Sequence, residues 1–310
     1  MTSRSENIMP SLDMLTSENK MEEADGHLIL EPSNGLGFQL VGALQRLGRK
    51  VLAPEAALSK EEKLSKLPIR FVGSDNPSSF TNNALGAIFI CPEDKHELST
   101  NCRISSDRME ALVSELKIFT ESNPEAHVIW ALPENSTNHD CKTILNVHEK
   151  STILLCPALF GFRDFNLLDE LLDELYKSFP TWKVAREKTP FLFSADAASF
   201  LISALHRKDL FAKTVALPSV GDDKKILVEA FQKNFHITEK TLRNKIASIR
   251  RHTLAANLKP LNENRIKADL NALEIFPTVL HSIERSMQKC ARQFQTNPEL
   301  ELHFPPSQAL

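Results

Sequence analysis

Two stretches of the chain carry residue types at spacings that could do chemistry. The first is Ser33-Asn34-Gly35-Leu36-Gly37, which follows the apolar run Leu28-Ile29-Leu30 and opens a segment of helical spacing. Backbone N–H groups at a helix start, approached through glycines, are suited to holding phosphate. The second is Asn138-His139-Asp140-Cys141-Lys142, with His148 close behind. It gathers an imidazole, a carboxylate, a thiol and an ammonium in one polar run. Its spacing matches no zinc pattern, so a polar loop accounts for it and no metal is expected. No Gly-Lys-Ser/Thr follows Gly37, which removes a P-loop, and no Gly-x-Ser-x-Gly elbow supports a hydrolase.

The elements that must position these residues are short and regular. Apolar runs at Leu28–Leu30, Val51–Ala53, Ile69–Val72, Ala87–Cys91, Val128–Leu132 and Thr152–Cys156 read as six strands. Between the first two, Leu36, Leu40, Val41, Leu44 and Leu47 keep a 3–4 spacing that predicts one buried helix face, stopped by Gly48. A charged connector (54–66) and a Ser/Asn-rich loop (76–83) flank the third strand. A helix is predicted over Ser106–Glu121, with Met109, Leu112, Val113, Leu116 and Phe119 inward, and a short helical piece over Cys141–His148. The runs are continuous rather than alternating, as in strands covered on both faces. This pattern predicts an α/β fold: a doubly wound, mainly parallel Rossmann-type sheet with right-handed crossovers.

From Phe165 the pattern turns helical (165–178, 195–206, 224–235, 238–256 and 278–294), interrupted by the runs Phe191–Phe193 and Thr214–Leu217. The expected division is a disordered lead-in over 1–25, a Rossmann-like domain over 26–164, and a smaller, mostly helical C-terminal lobe over 165–296 that contributes strands to the sheet edge. An extended, Pro-rich tail over 297–310 closes it.

Composition excludes several classes. The 310 residues carry a net charge of −3 at a pI near 6.4, so there is no global attraction for nucleic acid. No apolar run reaches the ~18 residues of a membrane span, and the polar N-terminus is not a secretory signal. Five unpaired-looking cysteines suit reduced thiols in a cytoplasm, the expected location. Lys240, Arg243, Lys245, Arg250 and Arg251 mark a basic helix face. Asp169, Glu170, Asp173 and Glu174 mark an acidic one. Both read as solvated surfaces; as sites, the first would hold phosphate, an acidic partner or nucleic acid, and the second would dock a protein.

The order of these fragments resembles the extended short-chain dehydrogenase/reductase family, in its sugar-nucleotide epimerase and dehydratase branch. Leu154-Leu155-Cys156-Pro157-Ala158-Leu159-Phe160-Gly161 is similar to the family's apolar-Arg-Pro…Tyr-Gly segment. Phe191-Leu192-Phe193-Ser194-Ala195-Asp196-Ala197-Ala198 is similar to its Val-His-Val-x-Asp-x-Ala segment, and Asp269 to Pro277 to its late Asp…Ala…Leu-Gly-Trp-x-Pro stretch. Counting back from Gly48, the family's three glycines fall on Glu31, Asn34 and Gly37. Glu55 then falls where an acidic residue often meets the adenosine ribose. In a second register, Gly35-x-Gly37 is the first glycine pair and Leu40 replaces the last glycine.

The resemblance implies a cofactor loop at Ser33, Asn34, Gly35, Leu36 and Gly37 with Glu55, but one that has changed. Glu31 would oppose a pyrophosphate, by on the order of 4 kcal/mol for charges ~4 Å apart at a dielectric of ~20. Pro32 lacks an N–H. The family's Tyr–Lys acid–base pair has only Asn138 and Lys142 at its spacing, and the single tyrosine, Tyr176, lies elsewhere. The first expectation is therefore a non-catalytic, pseudoenzyme-like protein without a cofactor. It would bind a protein partner or a nucleotide-like ligand in the cleft over the strand ends. The alternative is an NAD- or NADP-dependent epimerase, dehydratase or reductase with atypical residues, with Asn138, His139, Cys141 and Lys142 as the candidates. Loss of the long helix after the fifth strand puts the family's usual dimer in doubt.

Overall fold

In the computed structural model, residues 26–32, 35–55, 69–72, 85–91, 106–161, 189–234 and 267–296 are described. The apolar runs form the strands expected of them. β1 (Gly26–Ile29) pairs in parallel with β2 (Val51–Pro54) on one side and β4 (Leu85–Ile90) on the other, so that Leu28 lies between Leu52 and Ile88. β3 (Arg70–Val72) continues beyond β2. β5 (His127–Pro133) and β6 (Ser151–Cys156) continue beyond β4. Two later strands, β9 (Lys213–Ala216) and β10 (Leu270–Asn271), add to the β6 edge. The sheet order is β3-β2-β1-β4-β5-β6-β9-β10, and every pairing is parallel. β7 (Ala158–Phe160) and β8 (Phe191–Phe193) form a separate parallel pair.

Alternate strand residues bury into two cores, one on each face. Ile29, Phe89, Ile129, Leu154 and Val215 pack with Leu40 and Leu44 of helix α1 (Gly35–Arg46) and with Phe200 and Leu201 of α4 (Ser194–Ser203). Leu28, Ile88, Val128, Trp130 and Ile153 pack on the other face. Their partners are Leu112, Leu116 and Phe119 of α2 (Ser106–Ser122) and Cys141 and Ile144 of α3 (Asn138–Val147). Burial on both sides explains why the strands read as unbroken apolar runs. α5 (Lys224–Asn234), a one-turn α6 (Ala272–Ile275) and α7 (Ile283–Thr296) complete the described elements, with α7 against α5. No described helix is long and apolar enough to cross a membrane.

Three local expectations are corrected. Leu47 does not belong to the buried face of α1; it is exposed, just past the last helical residue. The helix closes there in a Schellman motif, with Gly48 N–H on Gln45 O (2.9 Å), Arg49 N–H on Leu44 O (3.0 Å) and Gly48 at φ 70°. α3 begins at Asn138 rather than Cys141, because Thr137 and Asp140 form a capping box that starts the helix earlier. α7 begins at Ile283 rather than Thr278. Ser282 Oγ accepts the Arg285 N–H (3.4 Å), and the Asp196 carboxylate takes the His281 N–H (2.9 Å). The lead-in, the connector past Glu55, the helices expected over 165–178 and 238–256 with their acidic and basic faces, and the tail lie outside the described residues.

Candidate ligand crevice at the β1–β4 switch point

Strand order reverses between β1 and β4, and ligands of open α/β sheets bind beyond the carboxyl ends of the strands at such a point. Here the Leu30 N–H still bonds Phe89 O (3.1 Å), so β1 and β4 separate only after Leu30. Glu31 follows at once. Its carboxylate forms an ion pair with Arg108, in the first turn of α2, the helix that follows β4. The pair spans the crevice with both partners largely covered: the Glu31 side chain is 14% exposed and that of Arg108 31%. The second carboxylate oxygen, Oε2, is buried without a partner among the described residues.

This pairing amends the electrostatic expectation. Glu31 is not a bare anion facing the ligand; Arg108 neutralises it. A cation in a first turn is unfavourable to its own helix, which gives Arg108 reason to seek a carboxylate. Pro32 is buried beside the pair. Gly35, Leu36 and Gly37 form the buried first turn of α1, while Ser33 and Asn34 lie outside the described residues. Glu55 follows β2 directly and is exposed.

The second sequence cluster is dispersed into structural duties. Thr137 Oγ1 donates to Asp140 Oδ2 (2.6 Å) and accepts the Asp140 N–H (3.2 Å), which commits that carboxylate to the cap of α3. Cys141 is fully buried, and burial, then Asp140, pushes its thiol up to about 12, where a thiolate nucleophile is not available. His139 meets Thr143 Oγ1 (3.2 Å), and His148 Nε2–H donates to Ala126 O (2.9 Å). Asn138 is the first residue of α3, and Lys142 is exposed one turn later. No three His, Cys, Asp or Glu side chains gather as a metal set among the described residues. Tyr176 lies outside them. Cys156, where the family's arginine would stand, is buried at the end of β6.

The two aspartates of the late motifs fasten elements together. Asp269 Oδ2 accepts the Thr214 N–H and hydroxyl, both at 2.8 Å, and staples β10 to β9. Asp196, in the first turn of α4, binds His281 through backbone and ring. Sequence reasoning missed Arg108, His281 and Lys289. Arg108 had a signal, a basic residue in a helix's first turn; His281 meets Asp196, and Lys289 meets His281, only through the fold.

No family model matches the chain, and no curated protein matches it. Solved structures do. UDP-N-acetylglucosamine 4-epimerase from Bacillus cereus superposes with a TM-score of 0.58 at 10% identity, over 87% of this chain and 99% of that one. Vestitone reductase from alfalfa (Medicago sativa) gives 0.57 at 13% identity, over 89% and 99%. Yeast methylglyoxal/isovaleraldehyde reductase, complexed with NADPH, gives 0.53 at 10%, over 89% and 100%. Strand order, two-faced burial and these superpositions agree: the chain has a Rossmann-type α/β fold, similar to that of these epimerases and reductases.

Proposed function

We propose that the protein acts by binding in the β1–β4 crevice and does not transfer hydride. The observation that carries this reading is the Glu31–Arg108 ion pair laid across the switch point. A pyrophosphate at the start of α1 would need the space and the field that Glu31 takes, and Pro32 offers it no N–H. Glu31 and Pro32 both count against a dinucleotide at this loop. The acid–base pair is missing as well: four residues past Tyr176, the chain's single tyrosine, stands Pro180 rather than a lysine. A nucleotide-like ligand would take Arg108 as its counter-ion in competition with Glu31. A protein partner would cover the same mouth.

The second reading is an NAD- or NADP-dependent epimerase or reductase. It is favoured by what the superposed proteins are, one of them holding NADPH, and by Glu55, exposed after β2 where a ribose would be met. Thermal unfolding with NAD(H) and NADP(H) to millimolar concentration separates the two. The expected outcome is no rise in Tm for the native chain; saturating ligand at ~100 Kd would add about 2.7 kcal/mol. A rise, together with nicotinamide oxidation or reduction on a UDP-sugar or an aldehyde, overturns the binding reading. Glu31→Gly reports on the obstacle itself: if the pair is what excludes dinucleotide, this variant gains a cofactor-dependent rise in Tm.

A further inference from the structure

Away from the crevice, Asp196, His281 and Lys289 form a chain of polar contacts that joins α4, the segment before α7, and α7 itself. Asp196 is buried, its side chain 2% exposed. One carboxylate oxygen accepts the His281 backbone N–H (2.9 Å), and the other accepts the ring's Nδ1–H. The Phe193 ring meets the imidazole edge-on at 6.0 Å and closes one side. With its Nδ1 proton given to Asp196, the ring turns the Nε2 lone pair outward. Lys289 Nζ lies 2.6 Å from it.

One proton is thus shared between two bases. As an ammonium facing imidazole, or as an amine facing imidazolium, the group of three has the same net charge. Asp196 fixes the ring with Nε2 turned toward Lys289. Nucleophile, base and orienting carboxylate stand in the order that activates a nucleophile. We propose that Lys289 is a nucleophilic amine site for small aldehydes or ketones, with His281 Nε2 as its base and Asp196 as the residue that orients the imidazole.

The Lys289 ammonium gives a proton to Nε2, and the amine nitrogen bonds to the carbonyl carbon as the C=O electron pair moves to oxygen. A proton passes from nitrogen to that oxygen. Nε2 then returns its proton to the hydroxyl, which leaves as water, and the product is a protonated imine on Lys289. No oxidant or reductant is consumed. The surroundings agree: burial draws the ammonium down from its ordinary 10.5, Arg285 adds to this, Asp196 opposes it, and Arg46 adds again. The charged groups that act on Lys289 are Arg285 on α7, Asp196 on α4 and Arg46 on α1; α7 also carries Glu284 and Arg292, and α5 carries Lys224, Lys225, Glu229 and Lys233, the last paired with Glu284 at 2.9 Å.

The test labels the full chain at pH 7 with glycolaldehyde and cyanoborohydride, which traps an imine as a stable secondary amine, and maps each lysine by peptide mass. Lys289 is expected to label at least about tenfold faster than the median lysine, well within what a positioned general base supplies. His281→Asn is expected to bring it back to that median. Lys289 labelling at the median rate in the native chain overturns the proposal, as does a rate unchanged in His281→Asn. Because that variant could loosen the seat of α7, the native pH profile is a second measure. Between pH 7 and 9 the Lys289 rate is expected to rise less than that of the exposed lysines; a parallel rise overturns the proposal too.

Discussion

Single residues at the two ends of β1 carry the clearest departures from an economical fold. Beyond its carboxyl end, the largely covered Glu31 pairs with Arg108, and its second oxygen is unpartnered among the described residues. Near its amino end, His27 is 2% exposed, and neither ring nitrogen has a partner among the described residues. It stands edge-on to Phe89 at 6.2 Å. Burial, then Arg49 and His206, pushes its pKa down to about 4, so the ring is neutral at pH 7 and contributes little beyond its bulk. An unpaired buried polar group costs about 1–3 kcal/mol. His27→Val removes two such atoms, places a β-branched side chain in a strand, and leaves a small void that offsets part of the gain. The expected net effect is a stabilisation on the order of 1 kcal/mol at pH 7, read as a higher urea midpoint with unchanged slope. A lower midpoint would mean that the imidazole has a partner, such as ordered water.

At the scale of elements, two glycines hold joints for different reasons. Gly48 ends α1 at φ 70° with open space around it, so only backbone conformation forbids a side chain. Gly161 follows β7 and is closed in by the first residue of α4: an added Cβ would sit 2.0 Å from Ser194 Oγ and 3.2 Å from Ser194 Cβ. Gly48→Ala is expected to cost about 1 kcal/mol, the penalty of a left-handed L-residue. Gly161→Ala is expected to cost more, roughly 2–3 kcal/mol, because packed elements must move apart. Adding Ser194→Ala should recover part of the second loss and none of the first, since it removes the closest atom but not the 3.2 Å contact. Denaturant unfolding of the four variants checks this; equal costs at both glycines would refute the packing argument. These joints also show what local sequence could carry. Gly48 as a helix stop was legible because its signal lies beside the helix it ends. The start of α7 was not, because the bond that displaces it comes from Asp196, 85 residues away.

At the scale of the molecule, the same division holds. The parallel sheet could be read from six continuous apolar runs, since burial on both faces leaves its mark within each strand. The crevice was legible only in part. Gly35 and Gly37 marked its place, but the partner that neutralises Glu31 comes from the far side of the switch point, and no spacing predicts it. What burial does to polar residues inside the sheet was equally hidden, and it bears on the whole fold. His27 and His127 lie in the first two residues of β1 and β5, and burial pushes both down to about 4 from an ordinary 6.5. His127 has a defined tautomer. Thr152 Oγ1–H donates to Leu210 O (2.8 Å), so it must accept from His127 Nε2–H (2.8 Å), and the bare Nδ1 is buried without a partner among the described residues. The unfolded chain takes up protons at these rings as pH falls through 6.5, and the folded chain does not until about 4. Stability is therefore fully present above 6.5 and is lost across the interval down to 4, by on the order of 3 kcal/mol for each histidine. Together that rivals the ~5–15 kcal/mol that holds a typical domain. Carboxylates held low by cations, such as Asp209 beside Arg207, add to the loss only below the ordinary carboxylate range. Urea midpoints measured from pH 7.5 to 4.5 should fall steadily below 6.5, and His27→Val should flatten roughly half of that slope. A midpoint that stays level across this interval would place charged, partnered imidazoles where the fold now has neutral ones.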